Sequence, residues 1–168
     1  MVVTPGKQKG EVIWETPQDL FDNLNKEFNF TLDPCCIKEI AKCKKFFTSK
    51  ENGLIQDWSK DIVFMNPPYG RELKKWLKKA YEEYQKGSTV ICLIMSSTDT
   101  NYWHDYAMKA KEIRLIKGRL SFRDCNKDNY RYNETYPCMY PTAIIIFDKH
   151  NQKYPTIKSI DIEGNELE

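Results

Sequence analysis

Asn66-Pro67-Pro68-Tyr69 is the segment of this sequence best suited to chemistry. It follows Ile62-Val63-Phe64-Met65, an unbroken apolar run of the kind that forms a strand buried on both faces. Two prolines cannot continue a central strand, so the strand ends at Asn66. In an open α/β sheet, ligands bind beyond the carboxyl ends of the strands. The prolines fix φ and carry no N–H, which leaves a rigid turn rich in acceptors. The Asn66 side-chain oxygen and the Pro67 carbonyl are two such acceptors. That pair suits a planar amine, whose lone pair is delocalised and poorly nucleophilic. An acceptor at each N–H favours the pyramidal geometry that frees the lone pair for methylation. Tyr69 adds an aromatic face on which a base can stack, worth about 1–3 kcal/mol. No shifted general base is needed, because the proton can leave after the methyl arrives.

The surrounding elements must hold that turn in place. Thr16-Pro17 reads as a helix start, with Thr as cap and Pro at the first helical position. Leu20, Phe21, Leu24 and Phe28 then form an apolar stripe. Residues 29–32 read as a short strand stopped by Asp33-Pro34, and residues 37–47 as a helix or a crossing loop. Residues 55–58 read as a short strand end. Leu73, Trp76, Leu77, Ala80, Tyr81 and Tyr84 recur at helical spacing, with Lys74, Lys75, Lys78 and Lys79 on the solvated side. Strands are expected at residues 89–95, 113–116 and 142–147, with a short one at 157–162. A helix is expected at 101–110, a long polar and aromatic loop at 119–141 and a flexible arm at 1–12. Strands alternating with helices argue for an α/β domain with a mostly parallel sheet.

Composition narrows the class without naming it. The chain has 168 residues, 40% of them hydrophobic, which suits one domain with one core and excludes a disordered tail. A net charge of +2 and a pI near 8.1 fall short of domains that hold DNA mainly by charge, so any nucleic acid must meet a local basic patch. Cys35, Cys36, Cys43, Cys92, Cys125 and Cys138 form no C-x-x-C pair, and His104 and His150 are the only histidines. Reduced thiols and no metal site are expected. The first ten residues lack the apolar core of a signal peptide, and the apolar run 90–95 is too short to span a bilayer. A soluble, cytoplasmic protein without a membrane partner is expected.

The ordered motifs make the reading sharper. Trp14-x-Thr16-Pro17, Leu32-Asp33-Pro34-Cys35, Gly53-Leu54-x-x-Asp57-Trp58, Asn66-Pro67-Pro68-Tyr69-Gly70 and Lys117-Gly118-Arg119-Leu120-x-Phe122 occur in that sequence. Together they resemble the phage-type DNA N-6-adenine methyltransferases over residues 14–147. The resemblance implies a compact Rossmann-like methyltransferase fold with an antiparallel last strand, S-adenosylmethionine as cofactor and DNA as partner. It implies a phage or prophage origin in a bacterial host, and a monomer or homodimer. Asn66, Pro67, Pro68 and Tyr69 match the catalytic loop. Thr16 and Pro17 match the segment that contacts the methionine end of the cofactor. Asp33 and Pro34 match the first cofactor motif, and Asp57 the acidic position near the cofactor adenine, with Trp58 as a stacking wall. Asn66 also borders the cofactor, and Trp14 is either core or cofactor wall. The sequence departs from the family pattern in two respects: no glycine turn follows Asp33, and the first and catalytic motifs, Asp33 and Asn66, are closer together than in large methyltransferases. Glu39 is a candidate for the ribose.

A base inside a duplex must be flipped out to reach such a pocket. In residues 119–141, Arg119, Arg123, Lys127 and Arg131 interleave with Tyr130 and other aromatics, which suits phosphates and bases. This segment is the candidate DNA-recognition element. The same tetrapeptide also serves enzymes acting on RNA adenine or on protein glutamine, and a non-catalytic nucleic-acid-binding relative is a further alternative. Cytosine N4 fits less well, because those enzymes usually carry Ser at the position of Asn66.

Overall fold

The computed structural model describes residues 14–168; the expected arm at 1–12 lies outside them. Seven strands form the main sheet. They are β2 (Leu32–Asp33), β3 (Lys45–Phe46), β4 (Ile62–Met65), β5 (Thr89–Met95), β6 (Glu112–Ile116), β9 (Thr142–Phe147) and β10 (Thr156–Ile160). Their order is β10-β6-β9-β5-β4-β2-β3. All neighbours run parallel except β9, which is antiparallel to both β5 and β6. The antiparallel strand is therefore the last of the three long apolar runs. One further strand follows it in the chain and pairs parallel with β6 at the sheet edge.

The two-residue period of a strand sends alternate side chains to opposite faces, and both faces are covered. Val63, Met65, Val90, Cys92, Ile94, Ala143, Ile145 and Phe147 pack under α2 (Leu73–Gln85) and α3 (Asn101–Asp105). Phe64, Ile91, Leu93, Ile144 and Ile146 pack on the other face against Leu20, Phe21 and Leu24 of α1 (Gln18–Phe28). Each helix buries its apolar stripe, as the spacing predicts.

Several expectations change. Pro17 stands at the cap position of α1, and the Thr16 hydroxyl makes no capping bond. The helix ends at Asn29 in the left-handed region (φ 57°), which delays the next strand to Leu32–Asp33. The strand end expected at 55–58 is absent, a 3-10 turn at Gly53–Ile55 leading into irregular chain, and the helix expected at 101–110 stops at Asp105 before a separate 3-10 turn.

The largest correction concerns residues 119–141. They contain a hairpin of β7 (Ser121–Asp124) and β8 (Thr135–Pro137), joined by β1 (Trp14–Glu15) into a three-stranded antiparallel sheet. The pairing is non-local, Trp14 with Asp124 and Glu15 with Arg123, so no local signal announced it. The buried Asp124 carboxylate ties the hairpin together. It accepts from the Asn126 backbone N–H at 2.9 Å and the Asn129 amide at 2.6 Å.

A second buried carboxylate braces the segment before β4. Glu83 of α2 is fully buried and accepts from the Trp58 backbone N–H at 2.9 Å, Lys79 at 2.6 Å and Lys86 at 2.7 Å. Burial pushes this carboxyl up, but those hydrogen bonds outweigh it and hold the group below its ordinary range. The stability it contributes is therefore full above the unfolded glutamate value and is lost as pH falls through the folded one. Glu83→Gln should lower unfolding free energy by about 1–3 kcal/mol at neutral pH. In urea titrations its gap from the native protein should narrow below about pH 4.

Candidate active site

Asp33 and Asn66 lie at the carboxyl ends of neighbouring parallel strands, β2 and β4. The Asn66 side-chain amide donates to the Thr16 hydroxyl at 3.0 Å and to the Trp14 carbonyl at 3.4 Å. A backbone carbonyl can only accept, so the group facing Trp14 is the NH₂. The other end of the amide, Oδ1, is buried and has no hydrogen-bond partner among the described residues. Leaving a buried carbonyl unmatched costs about 1–3 kcal/mol, so an orphan of this kind calls for an explanation. An acceptor reserved for a ligand N–H is one.

Beside it lies a cavity of about 280 Å³, close to the size of small-molecule sites. Trp14, Thr16, Asp33, Pro34, Asn66, Pro67 and Pro68 all line it, as the motifs suggested. Asp33 is buried, accepting from the backbone N–H groups of Lys42 at 3.1 Å and Cys35 at 3.4 Å. Burial is the larger effect and pushes its carboxyl up. Sequence reasoning missed the rest of the lining, notably Cys35, Lys42, Thr48, Ser49, Asn52, Leu54 and Trp76.

No glycine turn follows β2, but a later glycine packs against the same strand end. A Cβ on Gly53 would meet the Pro34 carbonyl oxygen at 2.0 Å, so the 3-10 turn at 53–55 approaches the β2 end as only glycine allows. Of the motif Gly53-Leu54-x-x-Asp57-Trp58, the glycine and leucine reach the cavity; Asp57 and Trp58 do not. The Asp57 carboxylate instead bonds the backbone N–H and hydroxyl of Ser59, each at 3.0 Å. Trp58 is completely buried, donates its indole N–H to the Gly53 carbonyl at 3.0 Å and stacks on Trp76 at 6.4 Å. It braces the cavity from behind instead of walling it. Pro17 also stands outside the lining, and Glu39 is exposed and apart from it.

Tyr69 is half-buried, its ring set edge-on to Phe122 at 6.2 Å. Its hydroxyl is buried without a partner among the described residues, and burial pushes its pKa well up. The phenol is therefore neutral, available as a stacking face and a donor.

The hairpin cations are not equivalent. Arg123 is committed to Glu15, at 2.6 Å through Nε, and to Asn133 at 3.2 Å. Arg119 donates to the Met139 carbonyl at 3.1 Å. The Arg131 guanidinium lies between the Tyr130 and Tyr136 rings, at 5.3 and 5.1 Å from their centroids. Lys127 is exposed, as is Tyr130. Lys75 pairs with the cap residue Glu72, Lys78 with Glu82 of α2 and Lys74 with Asp105, all exposed, in keeping with a solvated face; Lys79 departs from that expectation, its side chain largely buried against Glu83 and Trp58. All six cysteines are free thiols. No group of three metal-binding side chains occurs among the described residues, and no helix there is long and apolar enough to cross a membrane.

Comparison with known proteins agrees with this geometry. The family described as DNA N-6-adenine-methyltransferase (Dam) matches residues 4–164. The chain is 28% identical to the DNA N-6-adenine-methyltransferase of Haemophilus phage HP1 (strain HP1c1), over 96% of this chain and 92% of the relative. It is 38% identical over 63 residues to YfdM of Escherichia coli (strain K12), a protein named as a methyltransferase, covering 33% of this chain and 69% of that one. A mostly parallel α/β sheet, an unpartnered amide acceptor at a strand end and these matches define the class as methyltransferase, which requires a methyl donor. The chain belongs to the DNA N-6-adenine-methyltransferase (Dam) family.

Gly53 is the sharpest steric constraint in the cavity. Gly53→Ala forces a backbone shift, because the obstructing atom is a carbonyl oxygen and not a flexible side chain. It should lower stability by about 1–3 kcal/mol, read as a lowered melting temperature.

Proposed function

We propose that this chain transfers the methyl group of S-adenosylmethionine to N6 of adenine at a specific DNA sequence, using a Rossmann-like methyltransferase fold. The observation that carries the reading is the unpartnered Oδ1 of Asn66, turned away from the Thr16 and Trp14 groups that hold its nitrogen. An adenine N6–H supplies the missing donor. The Pro67 carbonyl accepts the second N6–H, and Tyr69 stacks on the extrahelical base.

The cofactor fits the cavity in its chemistry. Apolar Ile37, Ile40, Leu54 and Trp76 would hold its flat ring system, while Thr48, Ser49, Asn52 and Asp33 would offer groups for its hydroxyls and ammonium. Gly53 lets this part of the lining close on the Pro34 carbonyl, which a Cβ would block. When bound, S-adenosylmethionine supplies an electrophilic methyl on a sulfonium. The protein contributes position and electrostatics. Asn66 is not a base, so the proton leaves N6 only after the lone pair has been used. Asp57 and Trp58 support this site from outside it, and the ribose partner belongs among the residues around 48–52 in preference to Glu39.

On this reading the chain is one methyltransferase domain, a monomer or homodimer acting in the cytoplasm of a bacterial host. The hairpin at 119–141 meets DNA. Lys127, Arg131 and Arg119 face phosphates, Tyr130 faces a base, and Arg123 serves mainly to hold Glu15.

Radiolabelled methyl transfer to DNA, with mass spectrometry of the nucleosides, tests the reaction. N6-methyladenine is expected, and Asn66→Ala should lower kcat by at least about 100-fold, the usual cost of deleting one preorganised transition-state contact. Methylation of RNA or glutamine in its place would overturn the DNA assignment. For the hairpin, Lys127→Ala with Arg131→Ala should flatten the salt dependence of DNA binding by about one to two phosphate equivalents. An unchanged slope would remove the hairpin from the interface.

A further inference from the structure

We propose that Thr16 is a positioning residue: with the Trp14 carbonyl, its hydroxyl holds the Asn66 amide in the orientation that turns Oδ1 toward the target amine. This rests on the reading of Asn66 as the acceptor. It differs from the role that the motif resemblance gave Thr16, a contact with the methionine end of the cofactor.

The two orientations of an asparagine amide have nearly the same shape and differ by a half-turn about χ2. Only one serves the reaction, because the reversed amide points its own N–H bonds at the N–H bonds of the substrate. Something must therefore distinguish oxygen from nitrogen, and it must be present before substrate binds. Trp14 O accepts only, and it lies 3.4 Å from Nδ2. Thr16 Oγ1 is the closer acceptor, at 3.0 Å, and Thr16 is buried, at 3% exposed; a hydroxyl can donate or accept, so the acceptor-only Trp14 carbonyl sets the direction and Thr16 strengthens the hold. The hydroxyl is free for this task because it does not cap α1, although its position in the sequence suits a cap. The strand that carries the clamp is itself fixed: Trp14 and Glu15 pair with β7, and Glu15 binds Arg123.

Thr16→Val keeps the shape and removes the acceptor, while Thr16→Ser keeps the acceptor and removes a methyl. Thr16→Val should lower kcat by about 10- to 100-fold, with the KM for DNA and the Kd for S-adenosylmethionine within about two-fold of the native values. Thr16→Ser should recover most of the rate. A valine variant with native kcat, or one that loses only cofactor affinity, overturns the proposal. The free protein offers a readout independent of activity. The Asn66 side-chain NH₂ should be protected from solvent exchange by NMR, and Thr16→Val should speed that exchange. Native exchange in the variant overturns the clamp. Absence of methyl transfer by the native protein would instead overturn the proposed reaction, leaving the exchange measurement to decide on Thr16.

Discussion

A buried carbonyl without a donor is destabilising, and the Asn66 Oδ1 remains one because every other polar contact of that side chain is already assigned. The rest of the structure is arranged around that constraint. β4 delivers Asn66 to the carboxyl edge of the sheet, and two prolines stop the strand there. β1 brings the Trp14 carbonyl and the Thr16 hydroxyl across from a distant part of the chain. β7 holds β1 in turn by backbone pairing and by the Glu15–Arg123 ion pair. The hairpin assigned to DNA and the amide assigned to adenine are thus linked through two residues of strand.

The cavity depends on a second chain of contacts. Glu83 binds the Trp58 backbone, Trp58 binds the Gly53 carbonyl and stacks on Trp76, and Gly53 closes on Pro34. A charged group buried in α2 therefore sets the height of a turn that lines the ligand space. Nucleotide-binding sheets usually place a glycine immediately after the first strand to let a ligand approach the backbone. Here the glycine comes from a later turn folded back onto that strand end, and its missing Cβ admits the Pro34 carbonyl.

Much of this was legible in the sequence where the signal is local. The runs at 62–65, 89–95 and 142–147 announce buried strands, and the stripes of α1 and α2 announce helices. Seven of the residues expected at the site line one cavity. The failures share a cause. β1 has two residues and a partner more than a hundred positions away, so its pairing left no pattern, and the hairpin read as a loop. Thr16 carries a helix-cap signature that a tertiary contact overrides. Asp57 and Trp58 were assigned to the cofactor by motif. The nearby 3-10 turn presents Gly53 and Leu54 instead and buries Trp58 behind them.

The role proposed for Asn66 requires an amide fixed in advance of its substrate. The most direct test is a crystal structure with an unreactive S-adenosylmethionine analogue and adenine-containing DNA. An extrahelical adenine is expected there, with N6 within hydrogen-bond distance of Asn66 Oδ1 while Nδ2 still contacts Thr16. An adenine bound elsewhere, or an Asn66 amide reversed with its nitrogen toward the base, would contradict that role.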